Sequence, residues 1–236
     1  MPFYDEFAVC YDQIFPADPD TVKFLGSVFG PPGGKLADLA CGTGGYASAL
    51  AEAGFEVTGI DLSESMIELA FAKAAGRNGL RFFAQDMAKP EIGSDFRGWY
   101  CIGNSLVHLA GPAAILKVLT RWRQLLAPGG RWVIQILNYD RILAGQIGTL
   151  PTITAPDGSE LTRAYEFPSK QEVIFKTQLR CNGQTFTNAV PLYPLERAEF
   201  RGLCEEAGLE IEDEWGEFDA TPWTPASFAY VAAGTV

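Results

Sequence analysis

The chain has 236 residues, 47% of them hydrophobic and 20% charged, enough apolar side chain in the length of one α/β domain to bury a sizeable core. Its formal net charge of −11 repels polyanions, which argues against a nucleic-acid partner held by Lys and Arg. Five cysteines without a C-x-x-C pair read as reduced thiols of a cytoplasmic protein rather than a disulfide framework or a zinc site. With no charged-then-apolar leader and no apolar run of membrane-spanning length, neither export nor membrane insertion is expected.

Taken in chain order, strand-like runs at 35–40, 55–60, 81–84, 99–102 and 131–137 alternate with helical stretches at 46–53, 65–75, a short one after Asn104, and 112–127. This alternation predicts a mostly parallel sheet with helices on both faces. Pro112 suits a first helical position, and Pro128-Gly129-Gly130 stops the helix that it opens. Residues 151–191 differ, because 172–180 and 184–190 flank Asn182-Gly183, a strong two-residue hairpin signal. An antiparallel β insert is expected there. A helix at 195–207 and strands at 209–215 and 228–232 follow.

Asp38-Leu39-Ala40-Cys41-Gly42-Thr43-Gly44-Gly45 leaves a buried strand and opens a helix, so the backbone must turn sharply and admit a ligand, which glycine tolerates. Nineteen residues beyond Gly42, Asp61 ends the next strand, a separation at which a carboxylate accepts hydrogen bonds from ribose hydroxyls. The pair predicts a nucleoside site. Gly42-x-Gly44-x-x-Ala47 also satisfies the looser dinucleotide fingerprint, so the turn by itself leaves a nicotinamide or flavin cofactor open.

Residues 36–50, LADLACGTGGYASAL, resemble the first motif of class I S-adenosylmethionine-dependent methyltransferases. Residues 57–63, Gln85-Asp86-Met87 and residues 125–130 resemble three further motifs in the same order. The resemblance implies a Rossmann-like sheet whose last strand is antiparallel, and S-adenosylmethionine as cofactor, leaving S-adenosylhomocysteine as product. It places Gly42 and Gly44 beneath the methionine part, with Asp38 and Ala40 beside them, and Asp61 on the ribose. Leu62 and Met66 should lie by the adenine, and Asp86 and Met87 should meet its amino edge and face. One methyltransferase domain over 1–236 is implied: covering helices at 1–34, a cofactor core at 35–138, a substrate-side insert at 139–193, and a closing helix with two strands at 194–236.

Residues 101–109, CIGNSLVHL, and Asn138-Tyr139-Asp140-Arg141-Ile142-Leu143 resemble stretches of glycine and sarcosine N-methyltransferases and related bacterial small-molecule enzymes. Gly103 and Asn104 should reach the cofactor, and Asn104, His108 and Tyr139 are the candidate catalytic residues. His108, the only histidine, has an unperturbed pKa suited to accepting a proton. The chain departs from those enzymes at Arg97, where an acidic residue is usual, and at Leu137, where an arginine holds the amino-acid carboxylate. Glycine is therefore not the expected acceptor. A small, fairly apolar or amphipathic metabolite is, held between Asn104, Tyr139 and the insert, with Arg141 the one nearby cation for an anion.

The opening residues, Phe3-Tyr4-Asp5-Glu6-Phe7-Ala8-Val9-Cys10-Tyr11-Asp12, resemble the segment that closes over the cofactor in the same enzymes. Apolar residues at 3, 7 and 14 suit a helix with one packed face, and Tyr11 is the candidate for the cofactor's carboxylate. Methyl transfer from a sulfonium needs alignment and exclusion of water more than a nucleophile-base pair, so the lack of such a pair does not argue against catalysis. The acceptor is expected to be a small molecule, with no metal, no membrane and no nucleic acid involved. The antiparallel insert offers an edge on which a homodimer could form. A nicotinamide-dependent oxidoreductase and a non-catalytic S-adenosylmethionine-binding protein of the same fold remain the alternatives.

Overall fold

The computed structural model describes residue 8 and residues 10–236; the expected contacts of Phe3, Tyr4 and Phe7 lie outside the described residues. After a helical segment at 10–14 come α1 (Pro19–Phe29), β1 (Lys35–Leu39), α2 (Gly45–Glu52), β2 (Glu56–Asp61), α3 (Glu64–Ala74), β3 (Leu80–Ala84) and β4 (Phe96–Cys101). Then follow a 3-10 turn at Leu106–His108, α4 (Pro112–Arg123), β5 (Leu126–Leu137) and α5 (Tyr139–Ala144). The insert contributes β6 (Thr149–Thr154), β7 (Glu160–Ser169), β8 (Glu172–Cys181) and β9 (Gln184–Leu192). The chain then closes with α6 (Arg197–Ala207), β10 (Glu210–Trp215) and β11 (Ala229–Thr235).

Local chemistry sets many of these boundaries. Asp18 accepts the Thr21 N–H ahead of Pro19, and Ser63 accepts the Met66 N–H to start α3, each satisfying a donor that a helix N-terminus leaves orphaned. The helix from Pro112 ends at Arg123, four residues before the expected stop. The reason is tertiary: Phe96 N–H bonds the Leu125 carbonyl and Leu126 pairs with Phe96, so strand pairing claims the segment before the Pro-Gly-Gly turn is reached.

Seven strands form one sheet in the order β10-β11-β5-β4-β1-β2-β3. Only β11 runs against its neighbours. Alternate side chains feed two cores, as a pleated strand requires. Trp99 and Trp132 point to the face covered by α4 and α6, where Trp122 and Phe200 meet them. Tyr100 and Val133 point to the opposite face, with Phe24, Leu25 and Phe29 of α1 and Leu50 of α2. Strand order reverses at β1, which lies between β2 and β4; ligands bind open sheets of this type at the carboxyl ends of the strands on either side of that reversal.

The expected hairpin is β8–β9, with Asn182 and Gly183 both at positive φ, as the primed turn requires. It is half of a four-stranded antiparallel sheet, β6-β7-β8-β9, that stands over the carboxyl edge of the large sheet. Leu161, Leu179 and Cys181 of this sheet pack with Ala8, Cys10 and Ile14 of the N-terminal segment and with Met66. Cys10 and Cys181, 171 residues apart, form a disulfide with a Cα–Cα separation of 6.6 Å, which corrects the expectation of five reduced thiols. Short-range cysteine spacing carries no information on a pair that only the packing of the insert brings together. Cys41, Cys101 and Cys204 are free thiols.

Candidate functional site

Two cavities open at the reversal point. The larger, of about 290 Å³, lies between the ends of β1, β4 and β5, the N-terminal segment and the concave face of the insert. The smaller, of about 150 Å³, lies over the end of β2 and is walled by Asp61, Leu62, Met66 and Met87. Tyr11, Ala40, Ile102, Gly103 and His108 line both. The two spaces thus adjoin along a shared wall.

The glycine turn is built from the backbone outward. Ala40 and Cys41 both donate N–H bonds to the Ile60 carbonyl, and Ala40 adopts φ 76°. Gly42 donates its N–H to Asp61 Oδ2 at 2.9 Å, and Ser63 donates to Asp61 Oδ1 at 2.9 Å. Tyr11 stands over the turn, since a Cβ on Gly42 would lie 3.4 Å from its ring. Lys73 bonds the carbonyl and hydroxyl of Thr43 and pairs with Asp12, fastening the N-terminal segment to the turn. Gly44 differs from the expectation that its lack of a side chain admits the ligand. A Cβ there would strike Phe82 at 2.4 Å and Ala70 at 3.1 Å, so its constraint is core packing together with a φ of +73°.

Asn104 joins the ends of two strands. At φ 66° it accepts the Leu137 N–H through Oδ1 and donates through Nδ2 to the Tyr139 hydroxyl. It borders the larger cavity, but both ends of its amide are engaged. Tyr139 is fully buried and holds Asn104 from behind instead of facing the cavity. Gly103, at φ +77°, borders both spaces and has nothing within 4 Å of where a Cβ would project. Its N–H bonds Gln135 Oε1 at 2.7 Å. Gln135, a cavity-lining residue that sequence reading missed, is betrayed by being the one polar side chain in the buried run at 132–137.

Asp86 is exposed, lies outside the lining of both cavities, and caps Ala88 N–H with its Oδ1. Its neighbour Met87 does wall the smaller cavity, and Trp122 fixes it by an indole bond to the Met87 carbonyl. Arg141 also lies apart from both cavities, with its guanidinium 5.7 Å from the Phe228 ring centroid. Arg97 is remote as well, bonded to the Pro31 carbonyl at the opening end of β4, so the departure from the family pattern there does not touch the site.

Burial sets the charge of the site. Asp38, fully buried beneath the turn, has its pKa pushed up to about 8 by desolvation, despite the hydrogen bond it receives from the Tyr100 hydroxyl. Desolvation raises the Asp61 carboxyl too, opposed by the N–H bonds of Ser63 and Gly42. It lowers His108, which is therefore a neutral imidazole at neutral pH. Leu62 keeps 59% of its surface exposed beside the smaller cavity. A flat apolar ring placed there would cover it, the Asp61 carboxylate below keeps lone pairs that a vicinal diol could use, and the larger space has room for a polar tail. This is the arrangement of a nucleoside-binding α/β protein, and the residues suit S-adenosylmethionine.

Residues 36–130 match the model of a family described as a methyltransferase domain. Over 203 residues the chain is 28% identical to glycine/sarcosine N-methyltransferase of Halorhodospira halochloris, covering 79% of this chain and 69% of that one. It is also 28% identical over 188 residues to glycine/sarcosine/dimethylglycine N-methyltransferase of Actinopolyspora halophila, matching 78% of this chain. That match spans 33% of the relative's length. In fold, it superimposes on the CcbJ methyltransferase of Streptomyces caelestis with a TM-score of 0.82 at 25% identity, over 99% of this chain and 98% of the other. Residues 36–130 thus carry a methyltransferase domain, and the longer likenesses support a class I S-adenosylmethionine-dependent methyltransferase.

Proposed function

We propose that the protein transfers the methyl group of S-adenosylmethionine to a small-molecule acceptor by direct displacement. The observation that carries this reading is the wall shared by Tyr11, Ala40, Ile102, Gly103 and His108, which sets the space beside Asp61, Leu62, Met66 and Met87 against a second space under the insert. The bound cofactor supplies an electrophilic methyl on a positively charged leaving group. The chain's residues bind, orient and exclude water.

In this reading Asp61 holds the ribose, Leu62, Met66 and Met87 enclose the adenine, and Gly42 and Gly103 admit the backbone-hugging part. Asp38 and Tyr11 attend the amino-acid end. Leu137, Leu150 and Phe175, which border the larger cavity, exclude water from the acceptor side. An acceptor N–H or O–H loses its proton as the new bond to carbon forms. His108, neutral and on the shared wall, is the base that receives it. Asn104 and Tyr139 act as positioning residues for the ends of β4 and β5. The test is titration calorimetry with S-adenosylhomocysteine, followed by a donor-consumption screen over amines, phenols and acids. Micromolar binding with turnover of at least one acceptor class supports the reading; binding of NADH in preference to S-adenosylhomocysteine overturns it.

A further inference from the structure

The roof of the larger cavity is the inward face of the insert. Pairing of β7 with β8 sets Leu161 opposite Leu179, Arg163 opposite Thr177, and Tyr165 opposite Phe175. Leu150 of β6 flanks Arg163 on the other side. Alternation therefore puts one cation and one hydroxyl in the middle of an otherwise largely apolar surface. Both border the cavity.

Neither polar group is satisfied within the described residues. The Arg163 Nε and the Thr177 Oγ1 are buried without a hydrogen-bond partner, and Thr177 is only 6% exposed. Arg163 Nη2 donates to the Pro151 carbonyl at 2.8 Å, which anchors the guanidinium and leaves its Nε edge unused. Folded proteins rarely leave buried donors unpaired, and a guanidinium has no neutral form to retreat to. Among the described residues, Arg163 is also the only Lys or Arg lining the cavity. Of the acids there, Asp12 is paired with Lys73 and Asp38 is held by Tyr100. A negative charge is missing, and the cavity is where it would enter.

We propose that Arg163, assisted by Thr177, is a specificity-determining residue that receives a carboxylate carried by the methyl acceptor. One guanidinium edge and one hydroxyl match a singly charged, planar oxyanion better than a phosphate dianion, which would need a second cation. This deepens the methyltransferase reading and rests on it. It also narrows the expected small, fairly apolar or amphipathic acceptor to one with a carboxylate at one end and the nucleophilic atom at the other, and it moves the anion partner from Arg141 to the insert.

The test pairs binding with turnover. Melting of the S-adenosylhomocysteine-saturated protein is followed against benzoate and against benzamide. Wild type is expected to be stabilised by benzoate only, and Arg163→Gln and Thr177→Val to lose that response while their affinity for S-adenosylhomocysteine stays within about threefold of wild type. Amine and phenol acceptors are then assayed as free carboxylates and as methyl esters. Arg163→Gln should lower kcat/KM for the carboxylates by roughly 30-fold, mostly through KM, and leave the esters unchanged. Equal stabilisation by benzamide, no stabilisation by benzoate, or equal losses on acids and esters would overturn the assignment of Arg163. Failure of S-adenosylhomocysteine to bind at all would instead overturn the underlying methyltransferase reading.

Discussion

Asp61 accepts the N–H of Gly42 at 2.9 Å, so the carboxylate that ends β2 also fixes the turn that follows β1. In the proposed reading the same group has two duties, one to the fold and one to the ligand. Asp61→Ala is expected to weaken S-adenosylhomocysteine affinity at least tenfold, roughly the value of hydrogen bonds to an ionised acceptor. It should also reduce unfolding stability by about 1–3 kcal/mol, because the Gly42 and Ser63 donors lose their acceptor. Calorimetry and urea unfolding read the two effects separately, and unchanged affinity would remove the ribose assignment.

Gly44 and Gly103 both sit at positive φ, yet a methyl group would meet Phe82 at one and open cavity at the other. Gly44→Ala is therefore expected to act mainly on stability, lowering it by roughly 1–3 kcal/mol through strain and overpacking. Gly103→Ala should lose about 1 kcal/mol to strain but cost proportionately more in S-adenosylhomocysteine affinity. Equal affinity losses for the two variants at matched stability would contradict this division.

Burial pushes the Asp38 carboxyl up to about 8, against the ordinary carboxyl value of 3.8. The folded state therefore holds a proton that the unfolded chain has released over that interval. Stability that depends on this proton is present below about pH 4 and is lost as pH rises toward 8. Asp38→Asn should have a flatter stability profile between pH 5 and pH 8 than wild type, read from urea midpoints. Binding of a cationic amino-acid tail near Asp38 should release protons at pH 7, visible as a dependence of the calorimetric enthalpy on buffer ionisation.

His108→Gln tests the base. With the imidazole held neutral by burial, the variant should lose roughly 10²-fold in kcat on a protonated acceptor. Its affinity for S-adenosylhomocysteine should stay within about threefold, since glutamine keeps a polar side chain of similar length on the shared wall. A variant kcat equal to that of wild type would assign His108 to packing.

Loss of the Cys10–Cys181 bridge by Cys181→Ser should lower stability by about 2–5 kcal/mol, the usual range for a native disulfide. Limited proteolysis should then cut near residue 10 before it cuts the sheet. Identical unfolding midpoints with and without reductant would show that the pair contributes nothing in solution.

The parts of this site legible in the sequence are those fixed by local backbone demands. The turn from Ala40 to Gly45, Asp61 nineteen residues after Gly42, and the Asn182-Gly183 hairpin each depend on a few neighbouring residues. What escaped depends on where the insert lands. Cys10 meets Cys181, and Arg163 meets the cavity, only after the small sheet has docked over the large one. The clue to Arg163 was present in 161–167, where a strand alternating Leu, Tyr and Phe inward has a cation at one inward position. Tyr139 misled because its neighbours resemble a ligand-facing stretch, whereas the start of α5 turns its ring into the core.

The wall common to the two cavities also ties their affinities together. Tyr11, Ala40, Ile102, Gly103 and His108 face both spaces, so an occupant of one changes the surface offered to the other. Thermodynamic linkage makes that influence mutual: whatever factor the cofactor product contributes to acceptor affinity, the acceptor returns to the cofactor product. Because the spaces adjoin along this wall, a compound that joins an adenosine to an acceptor through a short tether past Gly103 would bind both halves at the entropic cost of one, which makes such a bridge the natural inhibitor of this site.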